Sequence, residues 1–172
     1  PASISWRHGA ATSTLTIGAS SGQTVKILGG EPLAAVLYFR AKGANFTNKK
    51  TGELFQVTKR NGFGFLAREG KMGSFINNGT IEGGFTGVRF DQTAITTIVN
   101  NGTIIGSIKG GNADRTWRSA GMEIMAQNIG SLENSGRIQG NTGLYLEDVW
   151  MKEIVNKSGG VIAGTGALSY DK

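Results

Sequence analysis

The phrase Asn-Asn-Gly-Thr-Ile occurs twice in this chain of 172 residues, in INNGTIEGG at 76–84 and in VNNGTIIGS at 99–107. Related copies, with an apolar residue, an asparagine, a glycine and an isoleucine in the same order, follow at 132–146 and 154–170, and a degraded copy lies at 46–57. Repetition of one unit along a chain is the signature of a repeat architecture. The repeat therefore limits the fold more than any other feature of this sequence.

The spacing of the phrase defines the length of the unit. Its asparagines are at positions 48, 77, 100, 134 and 156, so that successive copies are 29, 23, 34 and 22 residues apart. The longest interval contains an insertion at residues 107–120, and removing the excess brings that interval back to the length of its neighbours. The sequence predicts a base unit of 22 to 23 residues with loops of variable length.

The composition of each unit favours strands over helices. Apolar residues alternate with polar ones over short stretches, and a period of two is typical of β-strands. Glycine and Asn-Gly pairs separate these stretches, and 28 glycines against 2 prolines favour many tight corners. Helical repeats would need about ten or more residues free of glycine. We therefore predict an all-β fold, a parallel β-solenoid whose coils stack about 4.8 Å apart.

Stacking of equivalent residues predicts a set of inward columns. They are Ile81, Ile104, Ile138 and Ile162; Val88, Met122, Leu144 and Ala167 or Leu168; and Phe75, Ile98, Leu132 and Ile154. The asparagine two residues after each member of the third column points to the same side of its strand. We expect these asparagines to form an internal ladder at a corner, in which stacked amides satisfy one another and the corner backbone. The ladder residues are Asn77, Asn100, Asn134 and Asn156.

The two ends of the chain are less regular than its middle. Residues 1–43 are predicted to form an N-terminal cap and a degenerate first turn of the solenoid. Residues 44–172 are predicted to form the parallel β-helix repeats, with 107–120 as an inserted loop. The segment EPLAAVLYFRAKG at 31–43 fits a helix from Pro32 to Gly43, or equally a strand of one more coil. A solenoid end needs a cover, and the C-terminal strand phrase has none, so we expect the natural protein to continue beyond Lys172.

The segments FINNGTIEGG, TIVNNGTIIGS, LENSGRIQGNTGLYL and LTIGAS resemble passenger domains of bacterial autotransporters (type V secretion) and related surface adhesins. The resemblance covers roughly residues 12–172. It implies a right-handed parallel β-helix, exported from a Gram-negative cell and secreted or displayed at the cell surface beyond the outer membrane. It also implies a virulence-related role in adhesion, with a host-cell surface glycan or protein, or a neighbouring passenger, as the partner.

Few residues suggest catalysis or a cofactor. Cysteine is absent and histidine occurs once, which excludes disulfides, thiolate metal sites and multi-histidine metal sites.

In the predicted register Arg89, Glu123 and Tyr145 share an outward column, where an exposed Arg89–Glu123 ion pair contributes a few tenths of a kcal/mol. No two carboxylates align in adjacent coils of that register. We therefore expect a non-catalytic chain without a cofactor. A polysaccharide lyase or glycosidase of the same fold is the alternative, and a subunit similar to vacuolating autotransporters is a third possibility.

Two stretches have the composition of contact surfaces. The insertion contains Lys109, Arg115, Trp117 and Arg118, and tryptophan with arginine is typical of binding hot spots and of stacking on sugars. Trp117 could equally fold back over the solenoid, and Trp150 is expected to cover a corner.

The second stretch is basic. The net charge of +6 arises within residues 1–70, where Lys49, Lys50, Lys59 and Arg60 either contact a polyanion or form a solvated face. No nucleic-acid-binding module is recognisable, and no apolar run approaches the roughly 20 residues of a transmembrane helix. We therefore expect neither a specific nucleic-acid partner nor a transmembrane segment in this chain.

Overall fold

The computed structural model of the chain describes residues 4–8, 13–19, 23–29, 35–56, 62–106, 119–125, 128–164 and 166–171. Every regular element in these ranges is a β-strand, so the all-β prediction is confirmed. The strands are β1 (Ile4–His8), β2 (Thr14–Ile17), β3 (Val25–Gly29), β4 (Ala35–Asn48), β5 (Gly52–Gln56), β6 (Phe63–Asn77), β7 (Thr80–Gly83), β8 (Thr86–Asn100), β9 (Thr103–Gly106), β10 (Ala120–Met125), β11 (Asn128–Asn134), β12 (Arg137–Gln139), β13 (Thr142–Glu147), β14 (Trp150–Asn156), β15 (Val161–Ala163) and β16 (Gly166–Asp171). None of the described residues belongs to a helix of the length and apolar character needed to cross a membrane.

The strands form two sheets, and every strand pairing in the described ranges is parallel. The larger sheet has the order β1-β4-β6-β8-β10-β13-β16, and in it β2 also pairs with β4, and β11 with β8 and β14. The smaller sheet has the order β15-β12-β9-β7-β5-β3. Each repeat unit thus contributes strands to both sheets and pairs with the units before and after it, which is consistent with a β-solenoid.

The pairing register confirms the three predicted columns. Each residue of a column is the pairing partner of its equivalent in the next unit, and Leu168, rather than Ala167, occupies the end of the second column. The pairs are Ile81 with Ile104, Ile104 with Ile138 and Ile138 with Ile162; Val88 with Met122, Met122 with Leu144 and Leu144 with Leu168; and Phe75 with Ile98, Ile98 with Leu132 and Leu132 with Ile154.

The core between the sheets changes character along the stack. Five phenylalanines of β4, β6 and β8 are fully buried, and the closest pair of rings, Phe46 and Phe65, has centroids 4.7 Å apart. The following units fill the same space with aliphatic side chains such as Met122 and Leu132, which are also fully buried. Burial of each such side chain contributes about 1.5–3 kcal/mol, so the stack of columns is the main source of stability. The phenylalanines are Phe39, Phe46, Phe65, Phe75 and Phe90.

The N-terminal segment forms strands of the same sheets. The structure selects the strand alternative for 35–43, the described part of this segment, because β4 starts at Ala35 and buries Val36, Leu37 and Phe39. Strands β1 and β2 pair with β4, and β3 pairs with β5. The described part of the predicted cap thus follows the parallel pairing of the repeats.

One corner of the stack has an unusual backbone. Glu69, Gln92 and Asp148 have φ angles of 53°, 49° and 51°. Pairing of their neighbours places Glu69 and Gln92 at equivalent positions, and Asp148 follows the equivalent strand of a later unit. A left-handed conformation costs a non-glycine residue about 1–2 kcal/mol. This corner lies between two outward surfaces, a charged one before it and a groove after it.

Candidate functional site

The asparagines of the repeat phrase are joined by hydrogen bonds through the interior. Asn48, from the degraded copy, extends the row of four to five, and the first four of them are fully buried. In every step the side-chain Nδ2 of one asparagine donates to Oδ1 of the asparagine in the next unit. The N···O distances are 2.9 Å for Asn48 to Asn77, 2.8 Å for Asn77 to Asn100, 2.7 Å for Asn100 to Asn134 and 2.7 Å for Asn134 to Asn156.

Four of these five amides also donate to a carbonyl of the corner that follows them, those of Asn48, Asn100, Asn134 and Asn156. Asn100 donates to the carbonyl of Gly102 at 3.2 Å, and Asn156 donates to that of Gly160 at 2.8 Å. At the other end of the row, Oδ1 of Asn48 is buried and accepts no hydrogen bond from a described residue, because its pairing partner in the preceding strand is Ile17. The row therefore stabilises the corners, and its position in the interior keeps it away from any ligand at the surface.

Most of the predicted contact residues lie outside the described residues. They are Lys109, Arg115, Trp117 and Arg118 of the insertion, and Lys59 and Arg60 of the basic stretch. Lys49 and Lys50 are described, at the turn between β4 and β5, where Lys49 is half-buried and Lys50 is exposed. Lys50 is thus the described member of the basic stretch with a side chain open to a partner.

A band of alternating charges crosses the outward face before the strained corner. Glu69 accepts from Arg40 at 3.0 Å, and Asp91 lies 3.3 Å from Arg68 and 3.6 Å from Arg89. The described cations of this band are paired with carboxylates of neighbouring units. Pairing leaves the band with little net charge to attract a polyanion.

The predicted Arg89–Glu123 pair exists, but its expected exposure was wrong. Arg89 Nη1 lies 3.3 Å from Glu123 Oε2, and only 1% of the Glu123 side chain is exposed. Thr86 also donates to this carboxylate, at 3.5 Å, and Arg89 packs 5.5 Å from the centroid of the Phe63 ring. Because a buried carboxylate depends on its partners, this pair is worth more than the few tenths of a kcal/mol expected on an open sheet.

The expectation that no two carboxylates align in adjacent coils was also wrong. Once Leu168 pairs with Leu144, Asp171 becomes the pairing partner of Glu147. Glu147 also accepts a hydrogen bond from the Tyr145 hydroxyl at 3.1 Å. In the part of the chain that the structure describes, no group of three or more His, Cys, Asp or Glu side chains is arranged to hold a metal ion.

A shallow open groove of about 390 Å³ lies after the strained corner. One side is a row of equivalent positions in four successive units, from Lys71 through Ala94 and Asn128 to Trp150. Three steps of about 4.8 Å put the two ends of this row about 14 Å apart. The residues lining the groove are Lys71, Met72, Ala94, Ile95, Thr96, Asn128, Ile129, Gly130 and Trp150.

The groove exists because the side chains of its floor are small or directed inward. Ile95 and Ile129 are buried in the core, and Ala94 has only a methyl group. Gly130 has no room for a side chain, since an added Cβ would lie 2.1 Å from the carbonyl oxygen of Thr96. Trp150 does not cover the corner as expected, because 65% of it is exposed. The one sign of this surface in the sequence is a tryptophan at the start of a repeat unit. The sequence alone does not show that this tryptophan is exposed, because its exposure depends on the neighbouring units.

Comparisons of the chain with protein-family models, with curated proteins and with solved structures return no match.

Proposed function

We propose that the chain is part of a right-handed parallel β-helix in a secreted or surface-displayed passenger, and that it works without catalysis, in adhesion to host or neighbouring cells. The parallel, in-register pairing of successive units supports a coiled shaft. The autotransporter resemblance of the repeat phrase supports the export and the surface location.

The observation that carries the adhesive role is the exposed Trp150 on this scaffold. An indole that is 65% exposed on a strand of a stacked sheet is a rigid apolar surface offered to solvent. Large aromatic side chains held in place by their scaffold are the usual anchors of binding surfaces. The basic turn at Lys50 and the insertion around Trp117 complete the set of proposed contacts.

Binding of the purified chain to arrays of glycans and matrix proteins tests this function. Wild type is compared with three variants, Trp150→Ala, Lys49→Gln/Lys50→Gln and Trp117→Ala/Arg118→Ala. Ligands found on the arrays are then tested in a cell assay, in which beads coated with the chain adhere to cultured cells. We expect binding that at least one variant reduces about tenfold or more. Absence of binding to every array and cell type, or equal binding by all four proteins, would rule out adhesion through these residues.

A β-helical glycosidase or lyase is the second candidate, favoured by the alignment of Glu147 with Asp171. Two carboxyl groups about 5–10 Å apart are the minimum for glycoside hydrolysis. Release of reducing ends from a polysaccharide panel, lost in Glu147→Gln, would establish this activity and displace the adhesive role.

A further inference from the structure

We propose that the groove between Lys71 and Trp150 binds an anionic oligosaccharide along the stacking axis. The proposal rests on the proposed adhesive function. It makes that function more specific, because it assigns a class of ligand to one outward surface. The shape of the groove, the side chains in it and the charge at one end each restrict the ligand.

The shape calls for a narrow, extended ligand. The groove is open and shallow, and its long side crosses four units between Lys71 and Trp150. The floor consists of β6, β8, β11 and β14, which are hydrogen-bonded to one another side by side. A peptide that binds by adding a strand needs a free strand edge, and three of the four floor strands, β6, β8 and β11, have a neighbour on each side.

The side chains fit a sugar better than a purely apolar ligand. Trp150 presents an exposed ring face on which the apolar face of a pyranose can stack. Asn128, the pairing partner of Trp150, and Thr96, further along the groove, are exposed and supply an amide and a hydroxyl to the hydroxyl groups of the sugar. Aromatic stacking with a few polar groups that fix orientation is the usual composition of a small-ligand site.

The charge at the far end calls for an anion on the ligand. Lys71 is exposed, and it is the one charged residue among the described residues that line the groove. No ion pair among the described residues includes Lys71, in contrast to the paired arginines before the corner. A carboxylate or a sulfate on the oligosaccharide complements this end.

Titration calorimetry with three oligosaccharides of matched length tests the proposal. The probes are an oligogalacturonate (carboxylated), a heparin fragment (sulfated) and a cello-oligosaccharide (neutral), each at low and at moderate salt. We expect saturable one-site binding of at least one anionic probe, about tenfold or more tighter than the neutral one and weaker at higher salt. Comparison of the carboxylated and sulfated probes identifies which acidic group the Lys71 end accepts.

Four variants assign any binding to the groove. Trp150→Ala is expected to lower the affinity about tenfold or more, and Trp150→Phe to retain most of it. Lys71→Gln is expected to lower it about threefold to fivefold and to flatten the salt dependence. Arg137→Gln removes the same charge from an exposed side chain of the smaller sheet and is expected to change nothing. The side chains of the three substituted residues are at the surface, and circular dichroism and thermal unfolding verify that the four variants fold.

Several results would overturn the proposal. They are absence of saturable binding by either anionic probe, equal binding of the neutral probe, and wild-type affinity in both Trp150→Ala and Lys71→Gln. An effect of Arg137→Gln as large as that of Lys71→Gln would indicate diffuse charge attraction, and tighter binding of an acidic peptide of equal charge would indicate a protein ligand. The bead adhesion assay tests the proposed function separately, because the affinity of the purified chain for a sugar does not depend on a cell.

Discussion

The unit that contains β8 and β9 and the unit that contains β14 and β15 have the same repeat phrase but very different environments. Ile98 and Ile154 occupy one column, yet Ile98 is fully buried and Ile154 is 40% exposed. Asn100 is buried in the row of amides, whereas Asn156 is exposed. The reason is that β8 pairs with β6 on one side and β10 and β11 on the other, whereas among the described strands β14 has β11 as its one partner. Burial in a stacked fold is therefore supplied by both neighbouring units.

The largest difference between the two units is expected for their core isoleucines. Ile98→Ala should lower the free energy of unfolding by about 4 kcal/mol, because it leaves a cavity in a closed core. Ile154→Ala should lower it by about 1 kcal/mol, since much of that side chain already contacts water. Urea unfolding followed by circular dichroism measures both values. Equal losses would show that β14 is covered as fully as β8.

The amides should show a smaller difference in the same direction. Asn100→Ala removes the acceptor of Asn77 and the donor to Asn134, and leaving buried polar groups unpaired should cost about 2–3 kcal/mol. Asn156→Ala removes the acceptor of Asn134 and the donor to Gly160, but at an exposed corner where water can replace them, and should cost about 1 kcal/mol. The same unfolding experiment measures both. A cost for Asn156→Ala as large as that for Asn100→Ala would contradict the role of the neighbouring units.

The comparison extends to the charged band on the outward face. Arg89→Met should lower the free energy of unfolding by about 1.5 kcal/mol, because the carboxylate of Glu123 is buried. Arg68→Met is the matched control, since the Arg68 side chain is 55% exposed, and should cost less than about 0.5 kcal/mol. Unfolding at low and high salt measures both, and only the Arg68 effect should disappear in salt. A larger loss of unfolding free energy for Arg68→Met than for Arg89→Met would contradict the prediction that burial of Glu123 makes the Arg89 pair the stronger one.

The smallest effect is expected where the row of amides ends. Ile17 lies under Asn48, whose Oδ1 lacks a donor, so that Ile17→Asn supplies a hydrogen bond of about 1 kcal/mol in place of apolar burial. We expect a net change within about 1 kcal/mol of zero. Ile104→Asn, which puts the same amide into the middle of an apolar column, should cost more than about 3 kcal/mol. Thermal unfolding of both variants tests the contrast, and similar losses would mean that Ile17→Asn does not extend the row.

The features that were predictable from the sequence are those that recur in each copy of the phrase. The columns through Ile81 and Ile98 followed from spacing alone, because a stacked fold places equivalent residues on one another. The all-β class followed from alternation and from glycine at the corners. Even the degraded copy is in register, since Asn48 pairs with Asn77.

Features that depend on the surroundings of one unit were not predictable in this way. The exposure of Trp150 and the burial of Glu123 differ from expectation because neither is decided by the residues adjacent in sequence. The alignment of Glu147 with Asp171 was missed because a shift of one residue in the last strand, between Ala167 and Leu168, changes which side chains share a face. The groove could be recognised only in the structure, because the row of residues along its side comes from four different units.

The amide row gives the interior of this protein a polarity. All four inter-unit bonds run from Nδ2 of the earlier asparagine to Oδ1 of the later one. Rotating a single amide by half a turn would bring nitrogen against nitrogen on one side and oxygen against oxygen on the other. Each asparagine is therefore held to the orientation of its neighbours, and a slip in one unit disturbs the units both above and below it.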